Sequence, residues 1–336
     1  MRVTLVTRVS PAGPPQGDVY RLKGLVEAVN RLADDLQWVD ARRPPVGLPA
    51  HFWPPYFWHS RGPGSAPATD IVIAFQLAAA PLALSLPAPR RVLDLTDSLD
   101  WYRRRLGFSR ITWSKRLTLA GIGRREVAYG RQFDQVWVSA EPDRLWLRQY
   151  GLETAVVPNG VNEKVWLDPA DPKALVMVGN FRYLPNRLGI TWFLERIWPS
   201  LASRGYRLTL VGRGSEAYRA PGVDGRGFVE DLLTVYRTHG VAISPVGTGS
   251  GAQNKILEAM GYGRPVICRA SGAIGLSRPQ REAVFVVGDT VGEWLAALQQ
   301  CADSGIYRRK AAAGFQSVQV WGDAAYHQLC GFLADV

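Results

Sequence analysis

Short, unbroken apolar runs along this chain alternate with longer stretches in which apolar positions recur every three or four residues. The first run, Arg2–Thr7 (RVTLVT), has the β-rich composition of a strand. A loop, SPAGPPQGD, follows, and Val19 to Leu32 then carries Leu22, Leu25, Val26 and Val29 at helical spacing. Strand, glycine-containing loop and helix make the opening unit of a doubly wound α/β domain. Gln37–Val39, Asp70–Ala74, Arg91–Leu95, Gln135–Val138 and Ala155–Val157 read as further buried strands, with stretches of helical character between several of them.

After the turn PNGVN the pattern restarts. Ala174–Val178 (ALVMV) ends at Gly179, Ile190–Leu201 is an aromatic-rich helix, and Arg207–Val211 (RLTLV) ends at GRG. Val241–Ser244, Pro265–Cys268 and Ala283–Val287 complete the strands of this half. Trp294 to Leu298 and the run from Trp321 to Leu333 read as helices. The fold class is therefore α/β, with two successive Rossmann-like domains and a boundary near Pro158. Two such domains facing each other leave a cleft at the carboxyl ends of their strands, where open α/β sheets bind ligands.

Composition changes this picture little. A chain of 336 residues with 47% hydrophobic content has room for two ordinary domains. Cys268, Cys301 and Cys330 are far apart and odd in number, which argues against a disulfide framework and fits a reducing cytoplasm. The start, MRVTLVTRVSPAGPP, is too short in apolar residues for a signal peptide, and no run approaches the ~20 needed to span a bilayer. Net charge matters more: +11 suits an anionic partner such as phosphate, a membrane surface or nucleic acid, and equally a soluble protein from an arginine-rich proteome.

The stretch GSGAQNKILEAMGYGRPVI (249–267) carries the most specific chemistry. Lys255 and Glu258 stand three residues apart and share one helix face, while Ile256, Leu257 and Met260 form another. Gly247, Gly249 and Gly251 precede the helix and allow close backbone approach to a ligand. The N–H groups at the helix start lack internal partners and favour a phosphate, by ~0.3–1 kcal/mol at exposed sites and ~2 when partly buried. Lys255 in the first turn adds a full charge toward a diphosphate. Glu258, one turn on, is placed to accept hydrogen bonds from two ribose hydroxyls, about 1.5–3 kcal/mol for bonds to a charged group. An isolated Lys–Glu pair on a solvated helix is the plain alternative, and the flanking turn and GRPV are what weigh against it.

Four segments, in order, make the chain resemble the GT-B glycosyltransferases of the retaining family 4 type, the "glycosyltransferase group 1" kind. They are VPNGVN (157–162), VGNFRYLPNRLGITWFLERIWP (178–199), LVGRG (210–214) and GFVEDLLTVYRTHGVAISPVGTGSGAQNKILEAMGYGRPVI (227–267). The first half is similar only in layout. The resemblance implies an acceptor-binding domain over 1–158, a nucleotide-sugar-binding domain over 159–315, and a C-terminal helix within 316–336 that packs back on the first domain. It implies donor-site roles for Gly249, Ser250, Gly251, Lys255 and Glu258. It also implies a diphosphate contact from a basic residue after the first strand of the second half, Arg182 with Arg187 second, and a nucleobase cradle at Phe228 and Val229. One departure stands out. Many relatives carry a glutamate eight positions before the equivalent of Glu258, and this chain has Ser250, so backbone N–H groups of Gly249–Gly251 are left to hold the sugar hydroxyls.

Such enzymes generally stabilise the leaving diphosphate electrostatically, here through Arg182, Lys255 and the helix N-terminus, without a metal or other cofactor. The chain places no DxD motif in a donor-site loop, and its histidines (His51, His59, His239, His327) are scattered. Asp97, after the strand in VLDLTDSLDWYRRR, sits where the family often has a polar group near the acceptor, to orient or deprotonate a hydroxyl. Thr96, Asp97 and Ser98 suit a helix cap equally well. Gly13 and Gly17 either let the first loop approach the donor or form a plain βα turn.

Arg103, Arg104, Arg105, Arg110, Lys115 and Arg116, interleaved with Trp101, Tyr102, Phe108 and Trp113, suit an anionic membrane interface or a lipid-diphosphate acceptor, as does HFWPPYFWH (51–59). A solvated helix and an apolar pocket lining are the plainer alternatives, and no nucleic-acid module accompanies them. The expectation is a cytoplasmic transferase, peripheral on the inner face of the plasma membrane, that takes a nucleotide-sugar and a lipid-linked, glycan or small-molecule acceptor. A nucleotide-sugar epimerase on the same fold and a non-catalytic binding subunit, for which Ser250 is the best support, are the rival readings.

Overall fold

The computed structural model describes residues 1–13, 17–41, 69–106, 121–248 and 253–334. The chain divides into two units, Met1–Asn159 with Trp321–Val336, and Gly160–Val320. The first unit runs β1 (Arg2–Thr7), α1 (Gly17–Asn30), β2 (Asp35–Asp40), β3 (Ile71–Phe75), α2 (Ala80–Ser85), β4 (Arg90–Thr96), α3 (Leu99–Leu106), α4 (Ile122–Gly130), β5 (Gln135–Val138), α5 (Glu141–Arg148) and β6 (Ala155–Val156). Its sheet is parallel in the order β2-β1-β3-β4-β5-β6.

The second unit runs β7 (Ala174–Val178), α6 (Leu184–Arg196), α7 (Trp198–Ala202), β8 (Arg207–Val211), β9 (Val223–Gly225), α8 (Leu232–Thr238), β10 (Val241–Ser244), α9 (Asn254–Gly261), β11 (Val266–Arg269), α10 (Arg278–Ala283), β12 (Phe285–Val287), α11 (Val291–Ala302) and α12 (Ser304–Ser317). Its sheet, also parallel, has the order β12-β11-β10-β7-β8-β9. The last helix, α13 (Asp323–Ala334), lies in the first unit against α1. Gly24 and Gly322 let the α1 backbone and the start of α13 close up, since a Cβ on Gly24 would stand 2.7 Å from Gly322 N.

The central strands are apolar on both faces because helices cover both. All five residues of Ile71–Phe75 are buried, as are Ala174–Met177 and Val241–Ser244. In the second unit one face packs α6, α7 and α11 through Phe193, Trp198 and Trp294. The other packs α8, α9, α10 and α12 through Val235, Leu257 and Met260.

Both sheets reverse strand order once, between β1 and β3 in the first and between β7 and β10 in the second. Such switch points open a crevice at the carboxyl ends of the strands, and they position the site.

The expected α/β architecture is what forms, with local corrections. The helix expected over Ile190–Leu201 is two. The first begins at Leu184, where Pro185 occupies a first-turn position that needs no N–H, and Pro199 likewise opens the second. The short edge strand β9 has no counterpart in the sequence pattern, because VDG offers no apolar run. Gly17 is the first residue of α1 and not a loop residue.

Candidate functional site

In the second unit, loops at the carboxyl ends of β7 through β11 converge around the switch point. Gly212, at φ 128°, packs backbone to backbone on the residue after β7, since a Cβ there would meet Gly179 O at 2.0 Å. Gly179 N donates to Val211 O and Phe181 N to Arg213 O, so the two loops run as one layer. Arg182 is exposed at its outer edge, its Cγ 3.4 Å from where a Cβ on Gly214 would stand. Arg187 is exposed one turn into α6.

Lys255 lies over Gly179, with Cε 3.4 Å from a Cβ built there. Its Nζ donates to Gln253 Oε1 at 3.1 Å, and Ser244 Oγ donates to the same oxygen at 2.7 Å. Ser244 ends β10 and Gly179 follows β7, so this small network holds the ammonium at the switch point itself. Gln253 occupies the N-cap position of α9 but gives its side chain to this network and not to the cap. The side chain of Gln253 therefore does not cap the first turn.

Glu258 follows one turn on, partly buried like Lys255. Burial pulls the Lys255 ammonium down to about 8 and pushes the Glu258 carboxyl up to about 7, each opposed by the other's charge. Beneath them Tyr236 and Tyr262 stack with centroids 4.8 Å apart. Phe228 is 53% exposed with the Arg213 guanidinium 5.8 Å from its ring, and Val229 packs on the apolar cluster below. Gly227 N donates to Ser215 Oγ, fixing the bend before Phe228. Arg182, Phe228, Val229, Lys255 and Glu258 thus all belong to one edge of one sheet. Gly249, Ser250 and Gly251 lie outside the described residues.

In the first unit, Gly13 closes a turn after β1 through its N–H to Ser10 O. Asp97 follows β4 and accepts a hydrogen bond from Ser139 Oγ at 2.7 Å. Burial pushes its carboxyl above the ordinary range. The capping role falls to Ser98, whose Oγ accepts from Trp101 N at 3.2 Å, and to two carboxylates from neighbouring helices. Glu126 accepts from Ser98 Oγ and Leu99 N, and Asp143 Oδ1 accepts from Ser98 N at 2.9 Å.

Gln76 and Thr96, at the ends of adjacent strands β3 and β4, both have left-handed backbone, φ 69° and 68°. Such conformations cost about 1–3 kcal/mol each and gather at functional edges. Asp94 holds Thr96 there by accepting its N–H at 2.9 Å, and is itself gripped by the buried Arg21.

Arg103 and Arg104 both pair with Asp100, Arg104 lies over Trp146, and Arg105 lies over Trp101. The residues of 51–59 and Phe108, Arg110, Trp113, Lys115 and Arg116 lie outside the described residues. Among the described residues no helix is long and apolar enough to cross a membrane, and no group of three or more His, Cys, Asp or Glu is arranged to hold a metal.

Sequence reasoning missed Ser244, Gln253, Arg269 and the Arg21–Asp94 pair. Ser244, Arg269 and Asp94 signal themselves only as polar side chains at or near a strand end and Arg21 as one in an apolar helix face, while Gln253 carries no signal.

Residues 172–304 match the family model for glycosyl transferases group 1. No curated protein sequence matches the chain. Among solved structures it is similar over 99% of both chains to sucrose-phosphate synthase from Thermosynechococcus elongatus, at 17% identity and TM-score 0.70. It is similar over 100% of both chains to Anabaena HepE, solved with UDP-glucose, at 13% identity and TM-score 0.65. WaaG, a glycosyltransferase of lipopolysaccharide biosynthesis, is similar at 15% identity and TM-score 0.59, over 100% of this chain and 99% of that one. The likeness to GT-B glycosyltransferases read from the four segments is borne out, and a family 4-like chain is consistent with it.

Proposed function

We propose that this chain, with its GT-B fold and its glycosyl transferases group 1 segment, moves a sugar from a nucleotide diphosphate-sugar to a hydroxyl acceptor, with retention and without a metal. The observation that carries the reading is Lys255, held by Gln253 at the switch point of the second sheet with Glu258 one turn behind it. HepE, similar in fold, has been solved with UDP-glucose, with UDP, and with UDP and glucose.

In this reading the start of α9, Lys255 and Arg182 gather positive charge at the diphosphate. The ribose hydroxyls donate to Glu258, and the base lies along Phe228 and Val229. The turn around Gly249, Ser250 and Gly251 presents backbone N–H groups to the sugar. As the bond from the anomeric carbon to the phosphate oxygen breaks, the acceptor oxygen bonds to that carbon on the same face. Its proton passes to the leaving phosphate, so no enzymic nucleophile is required. The charge these residues supply is the work a metal would otherwise do. Asp97 orients the acceptor hydroxyl, and Gly13, with Gly17 at the head of α1, lets the first loop come close to the donor.

The acceptor is a glycan, a lipid-linked glycan or a small molecule. A peripheral seat on an anionic membrane draws support from Arg103, Arg104 and Arg105 beside Trp101 and Trp146.

The test is a panel of UDP-, GDP-, ADP- and TDP-sugars offered with and without extracts of glycan and lipid acceptors, with products identified by mass. Transfer supports the reading. Release of free nucleoside diphosphate and an altered sugar without acceptor replaces it with an epimerase. Binding without turnover leaves a non-catalytic subunit.

A further inference from the structure

The turn that follows β10 is braced from beneath. Gly189 of α6 leaves so little room that an added Cβ would stand 2.9 Å from Pro245 O and from Val246 Cα. One turn further along α6, Trp192 carries the guanidinium of Arg269, with Cζ 4.1 Å from the ring centroid. Arg269 closes β11 and is 19% exposed. Its Nε and Nη2 donate to the two carboxylate oxygens of Asp289, at 2.8 and 2.7 Å. The remaining end, Nη1, lies against Gly247, where an added Cβ would stand 2.3 Å away. Gly247 is not in the left-handed region, so its backbone would accept any residue. What excludes a side chain there is Arg269.

We infer that Arg269 is a positioning residue for the donor turn, and that Gly247 is glycine to receive it. The inference rests on the donor-site reading above and names the group that sets the path of residues 245–248 as they leave β10. Asp289 takes one edge of the guanidinium through two parallel hydrogen bonds and neutralises it, and Trp192 takes one face. The arginine therefore acts through its planar shape, wedged between helix, strand end and turn, and is not a further cation for the diphosphate. Lysine cannot reproduce this, since one ammonium neither makes the paired bonds nor stacks flat. Lys255 stands on the β7 side of the turn and Arg269 on the β11 side, so the turn is held between two strands by different means.

The test uses the full chain with Arg269→Ala, Arg269→Lys, Gly247→Ala and the double Arg269→Ala/Gly247→Ala. Hydrogen exchange of peptides that contain residues 246–248 needs no ligand. At the amides of 246–248 it is expected to quicken by about five-fold or more in Arg269→Ala while peptides covering 174–178 are unchanged. Unchanged exchange at 246–248 overturns the brace. With UDP-glucose, or whichever sugar nucleotide the panel selects, Arg269→Ala and Gly247→Ala should each lower kcat/KM by about ten-fold or more. UDP affinity should stay within about two-fold, because residues 245–248, and not the Gln253–Lys255 network, lose their brace.

Lysine should not rescue. The double variant should be no worse than Arg269→Ala alone, because removing the guanidinium makes room for the Cβ. Additive losses, or rescue by lysine, overturn the inference. If no sugar nucleotide binds the unmutated chain, the donor reading fails, and the exchange experiment still decides the brace.

Discussion

Arg21 grips Asp94 in a buried bidentate pair, Nε donating to Oδ2 and Nη2 to Oδ1, both at 2.9 Å, with the two side chains 4% and 2% exposed. Nη1 goes on to Val157 O and Asn159 Oδ1, so α1, β4 and the strand end before the second unit meet at one guanidinium. Asp94 also holds the left-handed Thr96, one residue before Asp97. Replacing Arg21 with Met leaves a carboxylate buried and unpaired, which costs about 3–5 kcal/mol. Urea unfolding should register that loss for the first unit. Arg21→Met/Asp94→Asn should recover much of it, since the double change removes both charges. A double variant as unstable as the single one would mean that the geometry at Thr96, and not the stranded charge, sets the cost.

Asp143 and Glu126 make a prediction about pH. Burial pushes Asp143 up to about 8, with the charge of Asp97 adding to it, and Glu126 up to about 7. Among the described residues Asp143 Oδ2 meets no hydrogen-bond partner, which costs a neutral carboxyl less than a charged one. The folded chain holds these protons across a range where unfolded carboxyls, with ordinary values near about 4, have lost theirs. The folded state binds more protons there, so stability is greatest in mild acid and falls as pH rises toward about 8. Melting temperatures from about pH 5 to 8 should trace that decline, and Asp143→Asn should flatten it. A decline that persists unchanged in Asp143→Asn and Glu126→Gln would place its origin elsewhere.

Much of this architecture was legible in the sequence because parallel strands buried on both faces are continuous apolar runs. Gln135–Val138, Ala174–Val178, Arg207–Val211 and Val241–Ser244 fall on their strands to the residue. Val223–Gly225 was invisible because an edge strand of three residues needs neither burial nor pattern. Lys255 and Glu258 could be singled out since glycines and helical spacing surround them. Gln253 could not, because nothing in AQNK distinguishes a cap from a residue that holds an ammonium. Arg21 and Arg269 are long-range partners of Asp94 and Asp289, and pairing between elements leaves no local trace.

Arg182 and Arg187 separate a specific contact from general charge. Both are exposed, and neither belongs to the core. If Arg182 touches the diphosphate, Arg182→Ala should weaken UDP binding by about 1.5–3 kcal/mol, the worth of hydrogen bonds to a charged group, with an unchanged melting temperature. Arg187→Ala should cost less, in proportion to a screened charge, and its effect should vanish in high salt while part of the Arg182 effect persists. Equal and equally salt-sensitive losses would reduce both residues to a diffuse field.

Lys255 and Glu258 set the sharpest expectation. Burial brings the ammonium down to about 8 and the carboxyl up to about 7, so the two charges that the proposed donor site calls for coexist best in a narrow window. Below it Glu258 takes up a proton and can no longer accept from both ribose hydroxyls. Above it Lys255 loses its proton and with it the charge facing the diphosphate. Calorimetric affinity for UDP, with the nucleotide's own phosphate ionisation measured separately, should therefore be bell-shaped with its maximum between those limits. Glu258→Gln should bind more weakly and lose the acid limb alone, because an amide has no proton to gain there. Lys255→Met should bind more weakly and lose the alkaline limb alone. The assignment is specific in this crossing. A variant that weakens binding but leaves both limbs in place would show that its side chain supports the turn without meeting the nucleotide.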